Sequence, residues 1–184
     1  LVREGRVAEA IGILEELEGK KPGKYETASN LGTAYELNGE NEKALQWIRE
    51  GMRRNPESHF GTEWLHVKLL EAKIAIGKDP DWLKKNTVLG LDPVSETLSL
   101  GSEVVFDGQK LNIANIEKAL VYQLHERVFF VKPPDATVGD LLIDLGRVFK
   151  VTRTREHVAE INKLAISYGA SVDRKIETAA VSRS

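Results

Sequence analysis

Apolar residues fall along this chain in helical stripes, interrupted in the middle by a stretch of different texture. Between 25 and 58 the pattern predicts two helices, 25–38 and 41–54, with Tyr35, Ala44 and Ile48 turned inward. Gly39-Glu40 supplies the turn between them, and Pro56 ends the second. Residues 59–76 read as one long helix carrying Trp64, Leu65, Leu69, Leu70 and Ala72, with Gly77 as its stop. Helical spacing returns at 115–129, where Ile116, Leu120, Leu124 and Val128 form a stripe joined by Ala119 and Val121. Pro133-Pro134 stops that helix. Thr137-x-x-Asp140 then predicts a capping box for a helix to about Lys150. A last helix spans 154–168, with Val158, Ile161, Leu164 and Ala165 inward and Gly169 as its C-cap. Between these blocks lie Gly90, Pro93, Gly101 and Gly108, with short apolar pieces at 88–91 and 104–106. Asp107-Gly108 predicts a tight turn closing a short β-hairpin.

The helical part is periodic. Gly5, Ala10, Leu14 and Pro22 recur 34 residues later as Gly39, Ala44, Ile48 and Pro56. Recurrence at this interval predicts stacked helical hairpins, each burying its apolar face on the next. Gly32 and Ala44 are expected where two helix axes cross, because a large side chain there would overpack by about 1–3 kcal/mol. Gly51 in mid-helix lowers helix propensity, which predicts close packing against the following helix. In residues 1–24, Ala10, Leu14 and Leu17 are expected inside, and most of that unit's first helix is expected upstream of Leu1. The third unit departs from the period: His66 replaces the Gly32 position and Lys73 the Gly39 position.

Asn30-Leu31-Gly32 followed by Tyr35 carries the L-G-x-x-Y pattern, and the segment 25–58 closely resembles a tetratricopeptide repeat (TPR). Leu145-Gly146-x-x-Phe149 is a weaker echo, with Arg153 at the turn position. The resemblance implies an all-α fold, an α-α superhelix of tetratricopeptide-like hairpins interrupted by an irregular insertion. The expected organisation is repeats over 1–80, first truncated and third divergent; an irregular excursion or linker over 81–114; a helical region with a divergent hairpin over 115–170; and a flexible tail over 171–184. It also implies a concave groove lined by first helices. The matching positions are Glu26, Ser29, Thr33, Glu36, Leu37, Phe60, Glu63, Val67, Leu70 and Glu71. That set is mildly acidic with apolar patches and suits a basic or amphipathic segment of a partner protein. The Lys and Asn residues that grip chaperone tails in some members are replaced here by Ser29, Thr33 and Glu63.

Composition narrows the partner class. The chain has 184 residues, 41% hydrophobic and 29% charged, with formal net charge −2. No overall field draws it to nucleic acid or anionic membrane. It has no cysteine, so disulfides and thiolate metal sites are excluded. Neither a catalytic motif nor a phosphate-binding glycine loop is present, and no cofactor or metal is expected. His59, His66, His125 and His157 are expected as packed or hydrogen-bonded residues rather than ligands. Asp140 and Asp144 share one helix face, where they are expected to be exposed and to complement the helix dipole. Arg147, Lys150, Arg153 and Arg155 form a candidate basic patch for an acidic peptide or phosphate, against the alternative of an ordinary solvated turn. The leading expectation is a protein-interaction scaffold without enzymatic activity. The alternatives are a self-association module giving a homo-oligomer, or the binding part of a larger enzyme.

Overall fold

Seven α-helices and one small antiparallel sheet make up the described part of the chain, which is mostly helical. The computed structural model describes residues 6–92 and 98–170. The expectations for Gly5, for Pro93 and for a tail over 171–184 lie outside the described residues. None of the described helices is long and apolar enough to cross a membrane. The chain divides into two compact units, Leu1–Asp79 and Pro80–Ser184.

In the first unit, α1 (Val7–Lys20), α2 (Tyr25–Leu37), α3 (Asn41–Arg54) and α4 (Glu63–Lys78) pack each against the next. Gly39, at φ 81°, makes the turn between α2 and α3 that the period predicts. The tightest approach is between these two helices. A Cβ on Gly32 would stand 2.6 Å from Ile48 Cγ1 and 3.1 Å from the Ile48 backbone nitrogen. Gly32 is therefore a steric necessity. Gly51 is not: a Cβ there would meet the Ser29 nitrogen at 3.6 Å and Ala28 Cβ at 3.9 Å, ordinary contact distances. Those neighbours lie on α2, the preceding helix, so the expectation of close packing with the following one is corrected.

Arg54 locks the ends of this layer together. It donates to Glu18 at 2.6 Å, to Glu50 at 2.7 Å and to the Lys24 carbonyl at 2.7 Å. On α1, Ala10 and Ile11 are buried, but Leu17 is 39% exposed, not inside as the period implied. Tyr35 is buried between α1 and α2 and donates its hydroxyl to Glu15; burial and that carboxylate push its phenol up to about 12.

In the second unit, β1 (Glu103–Phe106) and β2 (Gln109–Asn112) pair with Phe106 opposite Gln109. Asp107 and Gly108 both take positive φ, the requirement of a two-residue primed turn. Asn112 caps α5 (Ile113–Phe130), accepting from the Asn115 N–H. The cap of α6 (Ala136–Thr152) corrects the expected capping box: it is Asp135, which accepts from the Thr137 and Val138 N–H groups at 3.0 Å. A carboxylate two residues earlier than Thr137 satisfies the first-turn donors, and Asp140 takes no part in the cap. Packed against α6 is α7 (Arg155–Ser167), ended by Gly169 at φ 86°. At Gly146 an added Cβ would meet the Asn162 carboxamide at 2.6 Å, the far end of a movable side chain.

These distances rank three substitutions. Gly32→Ala is expected to destabilise by about 1–3 kcal/mol. Gly146→Ala should cost less, because Asn162 can swing aside. Gly51→Ala should be neutral or stabilising, by up to about 1 kcal/mol, through helix propensity. Urea unfolding of the three variants gives the order, and Ile48→Val should relieve part of the Gly32→Ala cost.

Candidate functional site

Backbone strain singles out the connection from α3 to α4. The predicted helix over 59–76 instead begins at Glu63 and runs to Lys78; before it, Ser58–Gly61 forms a 3-10 turn. Within that turn His59 (φ 47°), Phe60 (φ 58°) and Gly61 (φ 71°) are all left-handed. Gly61 accepts this readily, but His59 and Phe60 each bear about 1–2 kcal/mol of steric cost. Neighbours must hold the turn. Thr62 Oγ1 donates to the His59 carbonyl at 2.7 Å. Glu63 takes His59 Nδ1, and the Tyr25 hydroxyl lies 3.3 Å from Nε2, with the two rings edge to face. The result is Phe60 presented outward, 69% exposed.

Glu63 joins this turn to a buried charge network. The Glu63 side chain is buried, and so are Glu36 on α2 and His66 on α4. His66 Nε2 stands 2.7 Å from Glu36 Oε2, and its Nδ1 stands 3.6 Å from Glu63 Oε2. Lys73 Nζ donates to Glu36 Oε1 at 2.8 Å. Burial pushes the Glu63 carboxyl up, but hydrogen bonds and charge from His59 and His66 outweigh it and hold the group below the usual carboxylate range.

Ten residues were expected to line an open groove. Ser29, Glu36, Glu63, Val67 and Leu70 are instead buried. Glu36 and Glu63 are turned to the internal partners His66, Lys73 and His59, so the expectation of a mildly acidic groove is corrected. Thr33 and Leu37 are half-buried, and Thr33 donates to the Ser29 carbonyl at 3.2 Å. Glu26, Phe60 and Glu71 are exposed, with Arg49 donating to Glu71 at 2.8 Å. The residues missed as functional, His66 and Lys73, had a signal: both break the 34-residue period where it has glycine, and both bind the same carboxylate.

The second unit has its own buried polar stripe. Asp140, Asp144 and Arg147 on α6 are buried, as are Gln123 and Arg127 on α5. Asp140 Oδ2 accepts the Val88 N–H at 2.6 Å. Arg147 donates to Asp144 at 2.9 Å and to the Asp92 carbonyl at 3.0 Å. This stripe fastens the segment around 88–92, which lies within the expected excursion. It corrects two expectations: the aspartates are not exposed, and Arg147 is not part of a basic patch. Arg153 is paired with Glu117 at 2.8 Å, while Lys150 and Arg155 are exposed. Burial pushes Asp144 up to about 6, with Arg147 pulling the other way. No group of three potential ligands is placed to hold a metal ion among the described residues.

Comparisons with protein-family models, with curated proteins and with solved structures find no match for this chain.

Glu36→Ala removes the carboxylate that both His66 and Lys73 bind, and is expected to cost about 3–5 kcal/mol in urea unfolding. The two buried acids give opposite pH signs. Glu63, lowered on folding, stabilises above its unfolded pKa of about 4.3, and that contribution is lost as pH falls through the folded value. Asp144, raised on folding, makes stability fall as pH rises from about 4 to about 6. Stability measured against pH should flatten on the acid limb in Glu63→Gln, and between about pH 4 and 6 in Asp144→Asn.

Proposed function

We propose that this chain is a protein-interaction scaffold of tetratricopeptide-like hairpins, stacked as part of an α-α superhelix, with Phe60 as the apolar anchor for a partner's peptide segment. The observation that carries the reading is the exposed Phe60 on a strained turn held by Thr62, Glu63 and Tyr25. Strain of this kind persists only where surroundings over-determine it, and it concentrates at binding sites. An exposed ring is costly in water and rewarding against a partner, where full burial of a Phe contributes about 1.5–3 kcal/mol. The periodic pattern supports the same reading. Tyr25 and His59 are one period apart and touch, which is the relation expected of successive hairpins. The surface available around the anchor is narrower than the sequence implied: Glu26, Thr33, Leu37 and Glu71 remain, with the acids inside already occupied.

Self-association is the second reading, favoured by Ile13 and Leu17 exposed on the outer side of α1. Light scattering over a concentration series separates it from a monomeric scaffold.

Selection of a random peptide library on the immobilised chain tests the anchor. Selected peptides are expected to bind Phe60→Ala about tenfold or more weakly, the change corresponding to about 1.4 kcal/mol, with helical circular dichroism unchanged. Equal binding to the folded variant contradicts the reading.

A further inference from the structure

The turn that joins α2 to α3 has two needs that meet in one dipeptide. The helix ends in a Schellman motif: the Glu40 N–H donates to the Tyr35 carbonyl and the Gly39 N–H to the Glu36 carbonyl, both at 2.9 Å. That geometry puts Gly39 at φ 81°, where a side chain is disfavoured, so the position calls for glycine. The residue before it, at the helix C-cap, is Asn38. Asn38 is the asparagine in this chain that glycine follows, and both residues are exposed. Asparagine is a thermolabile residue, and a glycine after it leaves its carboxamide carbon unshielded from the next backbone nitrogen. We propose that Asn38-Gly39 is a modification site, where loss of the Asn38 side-chain amide gives aspartate and isoaspartate and unlocks the hairpin, and that the turn itself gates the reaction.

The chemistry needs only water. The Gly39 nitrogen attacks Asn38 Cγ and forms a C–N bond. The Cγ–Nδ2 bond breaks, and Nδ2 leaves as ammonia with the proton that the Gly39 nitrogen gives up. The product is a five-membered cyclic imide. Water then adds to one of its two carbonyls and opens the ring, and no electron changes hands. In the closed turn neither partner is available. The attacking nitrogen is the one whose N–H is held by the Glu36 carbonyl. Asn38 has ψ 0°, so that nitrogen eclipses the residue's own nitrogen rather than its Cβ, and ring closure requires rotation about Cα–C. The carboxamide is held as well, Nδ2 donating to Glu40 Oε1 at 2.7 Å. Reaction therefore follows opening of the turn, a local event of the kind that precedes exchange of protected amides. Its outcome is not neutral. Either product puts a carboxylate in the last turn of α2, against the helix dipole, and replaces the donor to Glu40 by an acceptor. Isoaspartate also lengthens the main chain by a methylene where Gly39 and Glu40 reach back to Glu36 and Tyr35.

Peptide mass spectrometry of the whole chain, aged in mildly alkaline buffer with and without guanidinium chloride, tests the site and the gate. In denaturant Asn38 should convert well ahead of Asn41 and Asn162, which precede Glu and Lys. In the folded chain its conversion should be about tenfold or more slower. Gly32→Ala loosens the helix pair that the turn joins, and should raise the folded-chain rate about fivefold or more. Glu40→Ala, which frees the carboxamide and leaves the helix crossing alone, should raise it too, while Gly51→Ala should not. Wild type aged in denaturant and refolded should unfold at lower urea than fresh chain. Asn38→Gln, whose longer side chain does not close the five-membered ring, should be unchanged by the same ageing. Conversion of Asn38 no faster than Asn41 and Asn162 in denaturant overturns the proposal. Equal rates in folded and unfolded chain overturn it, as do wild-type rates in both Gly32→Ala and Glu40→Ala, or aged wild type as stable as fresh.

Discussion

Two carboxylates, Glu36 and Glu63, lie where water does not reach them, and a buried carboxylate is tolerated only with hydrogen-bond donors or cations against it. The contacts between α2 and α4 meet that demand. Glu36 takes His66 and Lys73 from α4, and Glu63 takes His59 from the preceding turn. The Glu36 contacts cross from α2 to α4. A charge pair fixes one register, since a shifted register would strand both partners.

The same demand is met at the connection between α3 and α4. A continuous helix from 59 onward would also set His59 beside Glu63, four residues on. The observed chain turns left-handed and keeps that contact while the imidazole lies against the Tyr25 hydroxyl. Phe60 is thereby set outward on a turn held by hydrogen bonds. Strain, buried charge and an exposed aromatic ring thus belong to one arrangement, in which the interior network determines what the surface offers. The second unit shows a parallel device, with Asp140 and Arg147 fastening the backbone near Val88 and Asp92.

Much of the helical frame was legible because it rests on local patterns. The pairing of α2 with α3, the need for glycine at Gly32, the Asp107-Gly108 turn and the stripe of α5, apart from the exposed Val121, are each written in contiguous residues. Charged side chains were misread because polarity is a poor guide to exposure once partners exist. Glu36, Glu63, Asp144 and Arg147 all looked like surface groups, and their partners lie on other helices or several residues away. The cap of α6 slipped from Asp135 to Thr137 because both residues are good N-caps; the structure selects the one that accepts two N–H groups. The left-handed turn had no local sign beyond Gly61. The clearest signal available was negative: His66 and Lys73 sit where the period calls for glycine, and both bind the buried Glu36.

A double-mutant cycle between Glu36 and His66 tests most directly that this network ties α2 to α4. Wild type, Glu36→Gln, His66→Gln and the double variant would be unfolded in urea at about pH 7. A network of this kind predicts a coupling free energy of about 1.5 kcal/mol or more, with the double variant more stable than the sum of single losses implies. Additivity within about 0.5 kcal/mol would contradict it, because independent residues do not set a shared register.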